Sequence, residues 1–300
     1  MSAGSTEPEP RFDDDAPEGQ FLPLVGGRRR PTIMVAAFEG WNDAGEAASE
    51  ALNFLNRAWG AEQTSEFDPD EYYDFQFSRP VIRRDASGER KIVWPSTRIA
   101  RVSLEHAEVV FVHGIEPSYR WQAYTAELLE HAADLSIDCL ILVGALLADV
   151  PHTRPIPVTS TSQDRTLRER MSIETPQYEG PVGIVGVLGD AAMQEGIPTL
   201  SLWAAVPHYV AQSPSPKAQL ALLHQLEEML AAPLDTTELT EEAEAWERGV
   251  DELATDDPEV AAYVRQLEEA KDAADLPEAS GESIAREFER YLRRRGPEKP

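Results

Sequence analysis

Pro31–Gly45, PTIMVAAFEGWNDAG, limits what this chain can fold into more than any other stretch. Thr32–Phe38 is nearly all apolar and lies between Pro31 and Gly40, so it reads as a strand buried on both faces. Glu39-Gly40-Trp41-Asn42-Asp43 turns the chain, and Ala44–Leu55 has helical composition. Asn42 or Asp43 suits the N-cap, and Glu46 places a carboxylate in the first turn where the helix dipole favours it. Ala47, Ala51, Leu52, Leu55 and Trp59 share one helical face. A strand feeding a helix this way opens a βαβ unit. Glu39, Trp41, Asn42 and Asp43 then stand at the carboxyl end of a strand, where open α/β sheets bind ligands.

The same alternation recurs downstream. Val109–Gly114 and Cys139–Leu147 read as buried strands around the amphipathic helix Trp121–Leu135. Lys91–Trp94 and Arg98–Leu104 are β-prone, and Asp85–Gly88 suggests a hairpin turn, so an antiparallel insertion interrupts the series. Ile156–Ser162 reads as a strand and Arg165–Ser172 as a short helix. Val182–Leu188 reads as a strand, followed by a helix Ala191–Gln194 capped by Asp190. Pro198–Val206 is the last strand, and Ser215–Ala232 is a strong amphipathic helix. The pattern predicts an α/β fold: a mostly parallel sheet with helices on both faces, the antiparallel insertion, and a C-terminal helical extension.

Three regions are expected. Residues 1–30 are rich in Pro, Glu, Asp and Gly and read as a disordered leader. Residues 31–232 form the α/β domain. Residues 233–300 form an acidic helical extension, in which Asp235–Pro300 holds 20 acidic and 9 basic residues. Helices are expected there near Glu241–Leu253, Glu259–Ala270 and Ser283–Arg294, each with one apolar stripe that needs a surface to pack on.

Charge and cysteine content narrow the function classes. A net charge of −27 argues against nucleic acid and anionic membranes, both of which reward a basic face. No stretch approaches the roughly 20 apolar residues of a membrane helix. The single cysteine, Cys139, lies in an apolar run, which suits a small core residue in a reducing cytoplasm.

The groups that could carry chemistry are scattered. His113 stands at the end of a predicted strand and His152 and His208 just past one, and with Asp149 and Glu39 they would make a zinc set if those strand ends converged. No local ligand pair accompanies them, so hydrogen-bonded loop histidines are the plainer reading and no metal is assigned. Asp149, His152 and Arg154 share a Pro-stiffened loop in which Arg154 would either clamp an anion or pair internally with Asp149. Gly180, Gly183, Gly186 and Gly189 match neither a dinucleotide nor a Walker pattern. No nucleophile elbow surrounds Thr159–Ser162. Catalytic residues and cofactors are therefore not assigned. Tyr119, Arg120 and Trp121 are residue types that dominate protein interfaces, although Trp121 would equally serve as helix entry.

Five motifs taken in order carry a resemblance: AFEGWNDAG at 37–45, FDPDEYYDFQFSRP at 67–80, GIEPSYRW at 114–121, GALLADVPHTRP at 144–155 and LWAAVPHYV at 202–210. Together they resemble the proteasome assembly chaperone two family in its actinobacterial branch. The resemblance spans about 31–232 and resumes in LPEASGESIAREFERYLRRR. It implies an α/β domain similar to nucleoside phosphorylase-like sheets and a protein-binding, homo-oligomeric module with proteasome subunits as partners. Archaeal relatives end in a hydrophobic-Tyr-X docking tail. Here the last residues are Gly296–Pro300 and Tyr291 falls eight positions short of penultimate, which departs from that pattern. The expectation is a non-enzymatic protein-binding module. The alternative is a small-ligand binder or enzyme using Glu39, Trp41, Asn42, Asp43, His113, Asp149, His152 and Arg154 on one strand-end rim.

Overall fold

Thr32–Glu39 forms β1, with every residue from Ile33 to Phe38 buried, as expected of a strand covered on both sides. The structure, a computed structural model, describes residues 12, 13, 16, 20–26, 29–85, 87–210 and 213–275. Around β1 lie β6 (Glu108–Ile115) and β7 (Cys139–Ala148), both parallel to it, and β9 (Thr199–Pro207) runs parallel to β7. Outside this centre the direction reverses. On one flank β5 (Thr97–Ser103) pairs antiparallel with β6, and β2 (Glu62–Glu66) antiparallel with β5. On the other, β8 (Val158–Thr161) runs antiparallel to β9. The sheet order is β2-β5-β6-β1-β7-β9-β8.

The sheet is thus mixed rather than mostly parallel, with three parallel and three antiparallel pairings among the described residues. The physical reason lies in the connections. Parallel neighbours need a long crossover, whereas β5 turns straight back into β6 through residues 104–107, which only an antiparallel pair allows. β3 (Val81–Arg84) and β4 (Arg90–Val93) form a separate two-stranded antiparallel sheet at the expected insertion.

Alternation along the buried strands builds two cores. Ile33, Val35 and Ala37 of β1 face α2 (Ala47–Ala58) and α7 (Pro216–Leu230), while Met34, Ala36 and Phe38 face the layer of α4 (Trp121–Asp134) and α6 (Ile184–Gln194). Within the expected leader, Phe21–Gly26 is a helix, α1, whose Phe21, Leu22, Leu24 and Val25 are buried in the α2/α7 core. The stretch carries too few apolar residues for a period to show in sequence, yet four of them bury here.

The expectation of a strand at Val182–Leu188 and a separate helix capped by Asp190 is corrected. Ile184–Gln194 is one helix, α6, and Asp190 lies inside it. Three glycines in an apolar run lower helix propensity, which makes such a segment read as β in isolation. Tertiary packing reverses the preference. A Cβ on Gly189 would stand 2.9 Å from Leu142 Cδ1, so glycine lets α6 lie close on β7.

Beyond α7, α8 (Thr237–Asp256) packs on α7, and α9 (Pro258–Asp275) packs on α8. α5 (Arg165–Met171) is the short helix expected after β8, and α3 (Pro69–Tyr72) opens the insertion. The helix expected at Ser283–Arg294 lies outside the described residues.

Candidate functional site

The four parallel strands end at the same edge of the sheet, so the β1 turn, the β6–α4 loop, the β7–β8 loop and the β9 end form one rim. Asp43 shows how its polar groups are used. Buried at 6% exposure, its carboxylate accepts from Ala48 N at 2.7 Å and Ser49 N at 3.3 Å, and from the Ser49 hydroxyl. Asp43 therefore holds the start of α2, across a tight entry in which Gly45 and Glu46 both adopt positive φ, +63° and +54°. Burial raises the Asp43 pKa above the ordinary aspartate value, with these hydrogen bonds pulling against it.

Glu39 is exposed, and its pKa is raised by partial burial and then by Asp43, Glu46 and Glu50, with Arg83 opposing. Glu116, next to it across β1 and β6, donates its backbone N–H to Glu39 O at 2.9 Å. The Glu116 carboxylate reaches the opposite helix layer and accepts from Ile184 N at 2.8 Å, closing the N-terminus of α6. A Cβ on Gly183 would lie 2.0 Å from Asn42 Oδ1 and 2.6 Å from Glu116 Oε1, so only glycine admits both side chains there. The helix N-terminus at which an anion would sit is thus filled by the protein's own carboxylate. Glu116 lies in GIEPSYRW, but nothing local in the sequence links it to Ile184, 68 positions away.

His113 does not join His152 and His208. It lies on the α2 side of β6, opposite Ala37 of β1 and Arg98 of β5, with Nε2 buried and without a hydrogen-bond partner. Burial, reinforced by Arg98 and opposed by Glu50, lowers its pKa to about 4.

His152 and His208 do come together, but as part of a seat for α8 and α9. His152 is fully buried. The Tyr209 hydroxyl accepts from His152 N–H at 2.8 Å and meets Nδ1 at 2.8 Å, which leaves Nε2 to donate to Asp251 of α8 at 3.0 Å. His208 Nδ1 lies 3.2 Å from Asp149, which also accepts from the Tyr263 hydroxyl of α9 at 3.1 Å. Arg154 pairs not with Asp149 but with α9, donating from Nε and Nη2 to the two Asp272 oxygens at 2.8 Å each and from Nη1 to Glu268 at 3.3 Å. Lys217 bridges His152 O and Glu247 of α8. Among the described residues no group of three or more His, Cys, Asp or Glu is arranged to hold a metal ion.

Among the expected interface residues, Tyr119 is 44% exposed, and its hydroxyl donates to Tyr73 O at 2.8 Å. Arg120 is exposed, pairs with Glu71 and lies over the Tyr72 ring. Trp121 is half-buried on the α4/α6 core and donates to Pro117 O at 2.6 Å, so it serves helix entry.

Beside the exposed Glu39, Asp149 and His208, the rim also leaves large apolar side chains to solvent. Trp41 is 61% exposed, Leu147 60%, Tyr178 67% and Val182 50%. Ala145 N donates to Asn42 O at 2.8 Å, and the Asn42 side chain abuts Gly183, so Trp41, Leu146–Leu147 and Val182 belong to neighbouring chain segments. Of these only Trp41 was expected. Leu146 and Leu147 sit inside the most apolar run of the chain and carry no sequence sign of exposure.

Among the described residues no helix is long and apolar enough to cross a membrane. A comparison with curated proteins gives no match. Among solved structures, a PAC2 family protein from Streptomyces avermitilis is 50% identical, covers 78% of this chain and 99% of its own, and superposes with a TM-score of 0.73. A proteasome-assembly chaperone homologue from Mycobacterium tuberculosis is 43% identical over 77% of this chain and 99% of its own, with a TM-score of 0.69. PbaA of Pyrococcus furiosus, an archaeal homologue of proteasome-assembly chaperone, shares the fold at 16% identity and a TM-score of 0.53, covering 85% of this chain and 97% of its own. The PAC2 family model matches residues 37–254, from the end of β1 into α8. On that match and these identities, the chain belongs to the PAC2 family.

Proposed function

We propose that this protein is a non-enzymatic, self-associating protein-binding module that acts in proteasome-related assembly, with the strand-end rim as its docking surface. One observation carries the reading. Asp43, Glu116, His152 and Arg154 are spent on holding α2, α6, α8 and α9, while the solvent face presents Trp41, Leu147, Tyr178 and Val182. Clustered exposed apolar side chains mark protein contacts, and Trp and Tyr are prominent among interface anchors. The 43% identity to a protein described as a proteasome-assembly chaperone homologue supports the choice of partner.

The test is binding to purified proteasome α-subunits from the same organism, together with their assembly rate. Wild-type protein should bind and change that rate, and Trp41→Ala combined with Leu147→Ala should weaken binding about tenfold or more. Absence of both binding and a rate effect would sink the assembly role.

A small-ligand reading has one specific point in its favour: Asn42 Oδ1 is buried without a partner beside the exposed Trp41. Nucleotides, phosphosugars and divalent metals that bind there would raise the melting temperature by mass action.

A further inference from the structure

The β3–β4 hairpin is an arm that this fold does not explain. It pairs with no other strand among the described residues, and every residue of its two strands but Val93 is exposed. An isolated two-stranded hairpin is marginally stable in water. This one also exposes Ile82 at 58% and Ile92 at 59%, directly opposite each other across the pair. Trp94, 45% exposed, packs on Phe75 with ring centroids 4.8 Å apart, and Phe75 lies on the α4/α6 core, so the arm is anchored at its root.

The arm's charges also oppose its own pairing. Arg83 faces Lys91 and Arg84 faces Arg90, two like-charge cross-strand pairs. Lys91 is relieved by Asp85 at 3.0 Å, whereas no ion pair among the described residues engages Arg83, Arg84 or Arg90. Arg79–Lys91 carries five basic and two acidic residues on a chain of net −27. Edge arginines alone would guard against sheet aggregation, but they leave the exposed isoleucine pair without a reason.

A complementary surface exists on the same chain. Thr237–Asp275 carries 14 acidic and three basic residues. Near the end of α8, Leu253 is 68% exposed and is surrounded in sequence by exposed Glu252, Asp256, Asp257 and Glu259. An apolar pair flanked by arginines thus matches a leucine flanked by carboxylates.

We propose that the β3–β4 arm of one copy docks on the acidic α8 surface around Leu253 of a second copy. This rests on the self-association in the proposed function and names its contact. Burying Ile82, Ile92 and Leu253 together supplies the apolar centre, and the carboxylates relieve the arginine repulsion.

Sedimentation velocity of the full chain over about 1–100 µM tests it, a range in which micromolar association is visible. Wild type should associate. Arg84→Glu with Arg90→Glu, and separately Glu252→Lys with Asp256→Lys, should each raise Kd about tenfold or more, and the four together should recover much of it. Ile82→Ser with Ile92→Ser should also weaken association, with the thermal melt confirming an intact fold. A wild type that stays monomeric overturns the proposal and the self-association reading together, as does an arm found covered by a different acidic protein on a monomeric chain. Association unmoved by the arm and α8 variants overturns the arm contact alone.

Discussion

His113 near the end of β6 and Asp43 in the turn after β1 show opposite consequences of burial. Asp43 is buried with donors that justify its carboxylate, whereas His113 is half-buried with its Nε2 enclosed and unpartnered. A histidine whose folded pKa is about 4, against about 6.5 unfolded, stays neutral in the fold while the unfolded chain takes up a proton. The contribution is therefore complete above about pH 6.5 and is lost as pH falls toward 4. Glu39 and Asp43, both raised, act with the opposite sign in the acid range, so the test is a difference. His113→Gln should flatten the fall in urea-measured stability between pH 6.5 and 4 by up to about 1.4 kcal/mol per pH unit. Identical pH profiles in the two proteins would contradict the burial. Sequence placed His113 at a strand end, but not on which face, and the face decides that it meets Arg98 and Glu50 rather than His152.

At the scale of elements, α8 and α9 hold to the body through a polar seat more than through a large apolar one. Along α8 only Leu239, Ala243, Val250 and Ala254 are buried. The ion pairs of Arg154 lie near the surface, where solvent screening leaves them little net worth. His152 is different, because it is fully buried between Tyr209 and Asp251. His152→Ala strands these partners and should cost about 1–3 kcal/mol, the penalty of an unmade buried hydrogen bond. Hydrogen exchange should localise the effect, with α8 and α9 amides losing protection while β1 and β7 keep theirs. Uniform loss across the sheet would mean that the helices are part of one cooperative unit. The VPHT and VPHY motifs announced two loop histidines. Their use was not legible, since Asp251 lies 99 positions away from His152.

At the scale of the molecule, net charge is the dominant global property. A chain at −27 repels itself, most strongly along α8 and α9. Salt screens such exposed charges over about 10 Å at 0.1 M. The melting temperature should therefore rise by a few degrees between about 10 mM and about 200 mM sodium chloride at neutral pH. A fall would mean that ion pairs such as Arg154–Asp272 and Lys217–Glu247 outweigh the repulsion. The same acidity gives the basic β3–β4 arm its proposed partner.

Sequence alone determined the parts governed by local pattern. The apolar run of β1, the turn after it, the amphipathic α4 and α7 and the apolar runs of β6 and β7 all follow from spacing between near neighbours. It also determined the family, through motifs whose order survives without knowledge of their contacts. Tertiary structure decided what depends on distant partners. Leu142 and Glu116 favour a helix from Ile184, within the expected strand Val182–Leu188, the one by accepting a close glycine and the other by capping its start. The α2/α7 core recruits Phe21–Val25 from the expected leader. The turn at Glu39–Gly45 was legible as a site, but whether its carboxylates face a ligand or their own helices was fixed by where α2 and α6 lie. Spacing encodes which side chains share a face; only the packed layers determine what that face meets.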